Sequence, residues 1–304
     1  MLKKLLLFCV IGLVSSKGIS QNLEKETFRL FFLGGQSNME GHGMNTELPD
    51  SLSGSIENVW IFHGFPIGDE NRTGGLGKWD SLKPGNGAGF TSDGVSNKLA
   101  NKFGPELSFG KKLQELYPNE KIALIKYARG GSSIDSLAAR EYGSWEFDYK
   151  GTGGMNQFDH FLTTVKGALN TNDINGNGIE DVLVPSGIIW MQGESDALEE
   201  QVALRYYDHL KRLMDLIRTS FRADDLPVVI GKISDSGMDN NGKTWRYGEL
   251  VQYAQEEYVR NDKNAAIVRD TQFYQYSDPW HYDSKGYIDL GIKFAEAIYI
   301  LNIN

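Results

Sequence analysis

The stretch Phe28-Arg29-Leu30-Phe31-Phe32-Leu33-Gly34-Gly35-Gln36-Ser37-Asn38-Met39 decides the fold. Apart from Arg29, its first half is unbroken apolar sequence, and two glycines close it. A run this short and this continuous reads as a strand covered on both faces, because a strand with a wet face would alternate. Ile122 to Ala128 repeats the pattern and is followed by Gly130-Gly131. Gly187 to Met191, Pro227 to Ile233 and Ala265 to Val268 are further candidates. Helical patterns lie between them. Pro105 to Leu116 begins with a proline suited to a first turn and sets Leu107, Phe109, Leu113 and Leu116 near one face. Phe158 to Leu169, Leu198 to Phe221, Tyr247 to Val259 and Tyr287 to Ile300 behave alike. This alternation predicts an α/β protein, a three-layer α/β/α sandwich with a mainly parallel central sheet. Asn71 to Asn97, rich in Gly, Asn and Ser, is read as a long loop.

Composition narrows the function classes. The chain has 304 residues, of which 40% are hydrophobic and 12% aromatic, which is globular rather than disordered composition. Its formal net charge of −9, with no basic cluster after residue 4, argues against nucleic acid as a partner. The N-terminus reads as an export signal: a basic start through Lys4, an apolar run from Leu5 to Val14, then small polar residues. That run is too short to span a bilayer, so no stable membrane insertion is expected. Gly18 and Ser20 suit a cut before Gln21, which gives residues 1–20 as leader, residues 21–304 as one domain, and a periplasmic or secreted location. The only cysteine, Cys9, would leave with the leader, so disulfides and cysteine chemistry are not expected.

Ligands of open α/β sheets bind beyond the carboxyl ends of the strands, so the residues that follow each strand carry the functional signal. Gln36-Ser37-Asn38-Met39 follows the first, Arg129-Gly130-Gly131-Ser132-Ser133 the next, and Gln192-Gly193-Glu194-Ser195-Asp196 a third; Asp278-Pro279-Trp280-His281 stands near the C-terminus. A serine hydroxyl is a weak nucleophile without a base. His281 is the best placed of five histidines, because Asp278 three residues earlier can orient its ring. Taken singly, Ser37 reads equally well as a helix N-cap, and His281 as a surface histidine.

As a set, these motifs resemble the SGNH (GDSL-like) hydrolases, of flavodoxin-like architecture, and within them the sialate O-acetylesterase and acetylxylan esterase branch, the sixth carbohydrate esterase family. The segments that carry the resemblance are Gly35 to Met39, Gly104 to Phe109, Gly130-Gly131-Ser132, Trp190 to Asp196 and Asp278 to His281, in family order. The resemblance implies an exported serine esterase that removes O-acetyl groups from carbohydrates. Ser37 is then the nucleophile, His281 the general base and acid, and Asp278 the residue that orients His281. It implies an oxyanion hole made by the N–H groups of Ser37 and Gly130 and the side-chain amide of Gln192, with Gly131 as the fallback for Gly130. Gln36, Asn38, Glu194 and Asp196 are implied near the substrate or behind the site, and Glu194 competes with Asp278 as the partner of His281. No cofactor is implied for the chemistry, the substrate partner is an acetylated carbohydrate, and the oligomeric state stays open. The neutral form of His281 is the working base, so turnover is expected to fall below about pH 6. Two rivals share the fold: a catalytically silent carbohydrate-binding protein, and a lipase or thioesterase.

Two further patterns stand apart. Tyr142, Trp145, Phe147 and Tyr149 lie in one insertion, where Trp145 is read as a face for stacking a sugar ring and the alternative is a loop anchor. Asp173, Asn175, Asn177 and Asp181, with Gly178 between, resemble the start of a structural calcium loop, although position twelve is Val184 instead of a closing carboxylate.

Overall fold

A computed structural model describes residues 25–151 and 155–303; the leader read from residues 1–20 lies outside them. Seven strands form the main sheet: β1 (Thr27–Gly35), β2 (Val59–His63), β3 (Trp79–Ser81), β4 (Lys121–Ala128), β5 (Val182–Met191), β6 (Val228–Gly231) and β7 (Ala265–Val268). Their order across the sheet is β7-β6-β5-β1-β4-β2-β3, and every pairing is parallel except that of β2 with the edge strand β3. β1 is central, and the chain builds first to one side of it and then to the other. The reversal of winding opens a crevice at its carboxyl end.

Helices cover both faces: α1 (Ser37–Glu40), α2 (Glu106–Leu116), α3 (Gln157–Asn170), α4 (Glu200–Ala203), α5 (Tyr206–Ser220), α6 (Gly248–Asn261) and α7 (Ser284–Ile303). Adjacent residues of a strand point to opposite faces, and Phe31 and Phe32 show where each layer sits. Phe31 packs edge-on against Phe109 of α2, whereas Phe32 meets Phe161 of α3 and Phe221 beyond α5. Both rings are fully buried, which is why β1 carries no alternation. α2 and α7 lie close together at Gly291, where a side chain would strike the Pro105 carbonyl and the Ser108 hydroxyl.

The α/β sandwich and its mainly parallel sheet match the expectation, with three local differences. The segment read as a loop from Asn71 to Asn97 contains β3 and one arm of a small hairpin, Thr91–Ser92 with Asn97–Lys98. Strand β2 was not anticipated. The pattern from Leu198 to Phe221 is not one helix: it breaks into a 3-10 turn, α4 and α5. Among the described residues no helix is long and apolar enough to cross a membrane.

Candidate active site

The turn after β1 is set by Gly35. Its φ of 146° is a conformation that side chains rarely adopt, and a Cβ there would lie 1.9 Å from the Met191 carbonyl oxygen. Only glycine lets the ends of β1 and β5 come this close. The Gln36 N–H then donates to that same carbonyl at 2.9 Å, and α1 begins at Ser37. Gln36 holds the N-cap position, so Ser37 is not a capping residue.

Beneath this turn stands a buried cation. Lys126 of β4 is fully enclosed and donates to the Glu106 carboxylate at 2.7 Å, the Asn86 carbonyl at 2.7 Å and the Glu40 carbonyl at 2.9 Å. Burial pulls its ammonium below the ordinary lysine range, against the opposing pull of Glu106. The bond to Glu40 fixes the end of α1, and with it the direction in which Ser37 faces.

Four strand-end loops meet through buried side chains. The Gln36 Oε1 accepts from the N–H groups of Gly193 and Ser195 and from the Gln192 amide. Asn38 donates to Glu194 at 2.8 Å and to the Trp280 carbonyl at 3.1 Å, and its oxygen accepts from the Tyr287 hydroxyl and the Tyr282 N–H. Asp196 accepts from the N–H groups of Ile134 and Asp135 and from Gln192. Burial drives the Asp196 carboxyl up to about 7 and raises that of Glu194 as well. These residues join the loops; of them Gln36, Ser195 and Trp280 border the cavity they frame.

That cavity measures about 490 Å³, within the range of small-ligand sites. Ser37 and His281 both line it, with Gly130 and Gly131 beside Ser37. A Cβ on Gly130 would sit 3.4 Å from that of Ser37, so the two backbones run side by side. The Asp278 Oδ2 lies 2.7 Å from His281 Nδ1, while its Oδ1 accepts from the N–H groups of Trp280 and His281, each at 2.8 Å. Although burial opposes it, these bonds hold the Asp278 carboxyl below the usual carboxylate range. An ionised carboxylate can only accept, so Nδ1 carries the proton and Nε2 is left as the basic nitrogen. Glu194 makes no hydrogen bond to His281; one of its oxygens binds Asn38 and the other is buried with no hydrogen-bond partner among the described residues. Asp278 is therefore the carboxylate bonded to His281.

Two sequence expectations are corrected. Gln192 does not reach the cavity: it is fully buried, its NH₂ donates to Gln36, the Ser132 carbonyl and Asp196, and its oxygen accepts from Tyr206. The Gly130 N–H is in place but donates to the Glu40 carboxylate at 2.8 Å. Trp145 is a core residue. It is 1% exposed, donates to Ser132 and packs edge-on against Trp190 and Tyr127. From the same insertion it is Tyr142 that lines the cavity, joined by Trp245 and by Trp280, which is 52% exposed.

His42, Arg129 and Arg140 escaped sequence reading. The His42 ring stacks on His281 at 3.7 Å between centroids and 8° between planes. Lys102 lies 3.3 Å from its Nδ1. An ammonium only donates, so the His42 proton resides on Nε2. Burial, the neighbouring His281 and Lys102 lower the His42 pKa to about 3. Arg140 donates to the Gly131 carbonyl and Ser195, while the Arg129 Nε is buried with no hydrogen-bond partner among the described residues. The signal in the sequence was proximity to the motifs: His42 follows Met39 by three residues, and Arg129 precedes Gly130.

Comparison with known proteins supplies the family. A family model described as carbohydrate esterase, sialic acid-specific acetylesterase, matches residues 27–300. No curated protein sequence matches. Among solved structures, an Arabidopsis thaliana protein is 20% identical with a TM-score of 0.61, covering 91% of this chain and 99% of its own. A carbohydrate acetylesterase from Xanthomonas citri is 17% identical with a TM-score of 0.56, covering 90% of this chain and 56% of its own. NanS is 16% identical with a TM-score of 0.55, covering 90% and 97% respectively. At these identities the likenesses speak for the fold.

Proposed function

This chain belongs to the carbohydrate esterase family of sialic acid-specific acetylesterases, and from that premise we propose that it releases O-acetyl groups from sugars through an acyl-enzyme formed on Ser37. It is a carboxylic ester hydrolase directed at carbohydrates. The observation that carries the mechanism is that Ser37 and His281, brought from opposite ends of the chain, border one cavity, with His281 held in the basic tautomer by Asp278.

In the first step the Ser37 Oγ attacks the acetyl carbonyl carbon while its proton passes to Nε2 of His281. The imidazolium so formed is stabilised by the Asp278 carboxylate. The carbonyl oxygen becomes an oxyanion beside the N–H groups of Ser37 and Gly130. The Glu40 carboxylate now on Gly130 marks where negative charge is welcome there, and it must withdraw for the substrate. His281 then returns its proton to the sugar oxygen as the ester bond breaks. Water repeats the sequence, giving acetate and free Ser37.

Arg129 and Arg140 support an acetylated sugar that itself carries a carboxylate, since both arginines line the cavity. Trp280 offers an exposed ring at the rim for a sugar face. The test is acetate release from acetylated acidic and neutral glycans, run beside Ser37→Ala. We expect acidic sugars to be preferred and the variant to be inactive. Equal rates for wild type and Ser37→Ala would refute the mechanism, and a preference for long-acyl esters would refute the carbohydrate reading.

A further inference from the structure

We propose that residues 173–181, in the loop between α3 and β5, bind one calcium ion, a site outside the esterase chemistry. The loop reads Asp173-Ile174-Asn175-Gly176-Asn177-Gly178-Ile179-Glu180-Asp181. Its side-chain oxygens turn toward its own backbone. Asp173 accepts from the N–H groups of Asn177 at 3.0 Å and Gly178 at 2.9 Å, Asn177 accepts from Ile179 at 2.9 Å, and Asp181 Oδ2 accepts from Ile174 at 2.8 Å.

The loop shape alone would not identify a ligand. The independent observation is the second oxygen of Asp181. The residue is 8% exposed, and Oδ1 is shielded from solvent with no hydrogen-bond partner among the described residues. With Oδ2 pinned to Ile174, near the start of the loop, Oδ1 is confined to the same turn. The charges of Glu26 and Asp173 act on this carboxylate, opposed by Lys121. Lys121 pairs with Glu26 at 2.5 Å. A buried oxygen without a donor, among carboxylates, is a place for a cation.

The donor set selects the ion. Asp173, Asn175, Asn177 and Asp181 offer carboxylate and amide oxygens at positions one, three, five and nine, and the Ile179 carbonyl stands at position seven. No cluster of three His, Cys, Asp or Glu side chains able to hold a metal occurs among the described residues. Two carboxylates must therefore share the ion with amides, a carbonyl and water, which suits calcium's large and irregular oxygen shell better than magnesium's strict octahedron. Val184 at position twelve supplies no ligand; Asp181 closes the loop three residues earlier. The loop leads directly into β5, and the Val182 N–H donates to the Glu26 carbonyl just before β1, so the ion would brace the starts of two central strands.

The experiment is calorimetric titration of the chelator-treated full chain with calcium chloride, and separately with magnesium chloride, together with thermal melts. One calcium should bind, with a Kd on the order of 10⁻⁵ to 10⁻³ M, and Tm should rise by a few degrees. Magnesium should give neither effect at equal concentration. Asp173→Ala and Asp181→Asn should abolish the heat while leaving acetate release by the folded protein unchanged. Absence of heat and of a Tm shift in the wild type, an equal response to magnesium, or undiminished heat in both variants would overturn the site. The wild-type titration needs no variant to fold, and none of its readouts depends on esterase activity.

Discussion

The two ends of the central sheet differ in how their polar residues are assembled. At the carboxyl end, the cavity draws Ser37, Gly130, Arg140, Trp245 and His281 from segments spread over most of the chain. They are held by side chains that are themselves buried, among them Lys126, Gln36, Asn38 and Asp196. At the opposite end, the loop of residues 173–181 draws its oxygens from nine consecutive positions, bonded to the loop's own N–H groups. Damage to the assembled end should therefore strike chemistry, and stability as well where a buried support such as Lys126 is removed, whereas damage to the local end should alter stability alone.

Asp278→Asn provides the largest expected contrast. An amide at that position would hold His281 in the wrong tautomer, so kcat should fall on the order of 10⁴-fold while Tm barely moves. A loss under tenfold would break the claim that Asp278 sets the base. Next is Lys126→Met, which strands Glu106 in a fully buried position. Removing one partner of a buried pair costs about 3–5 kcal/mol, measurable by urea unfolding. Adding Glu106→Gln should restore part of that stability. If the single variant is as stable as wild type, the turn after β1 does not rest on this cation.

His42 sharpens the comparison with a smaller effect. Its pKa near 3 lies below the ordinary histidine value of 6.5, so below that value the unfolded chain takes up a proton that the fold refuses. The stability contributed by neutral His42 is therefore complete above about pH 6.5 and is lost as pH falls toward 3. His42→Phe keeps a flat ring on His281 and should lessen this acid sensitivity. His42→Ala removes the stack and should lower kcat by up to about tenfold, the scale of one aromatic contact. An unchanged kcat in His42→Ala would show that the stack does not position the base.

Legibility followed the range of the interactions. Strands β1, β4, β5, β6 and β7 were readable because burial on both faces leaves unbroken apolar runs. β3 was not, since Trp79-Asp80-Ser81 is a strand only by virtue of its pairing with β2. The run Val59-Trp60-Ile61-Phe62 did carry an apolar signal, in a segment otherwise dominated by turns. The helix pattern from Leu198 to Phe221 hid its breaks, at Glu199 and at Leu204–Arg205, because periodicity does not register that Arg205 is drawn onto Asp135 of a neighbouring loop. The aromatic insertion shows the same limit: composition put four rings together, and packing sent Trp145 inward and Tyr142 to the cavity.

By itself, the sequence determined the layer order, the glycine-closed turns and the kinds of side chain available after each strand, because burial periodicity and backbone freedom are local properties. Which of those side chains meet was decided by the tertiary structure alone. Gln192 spends its amide on buried partners that include the distant Gln36 and Ser132, and His42 lies flat on His281, because strand register and loop packing choose each polar group's partner across segments far apart in the chain.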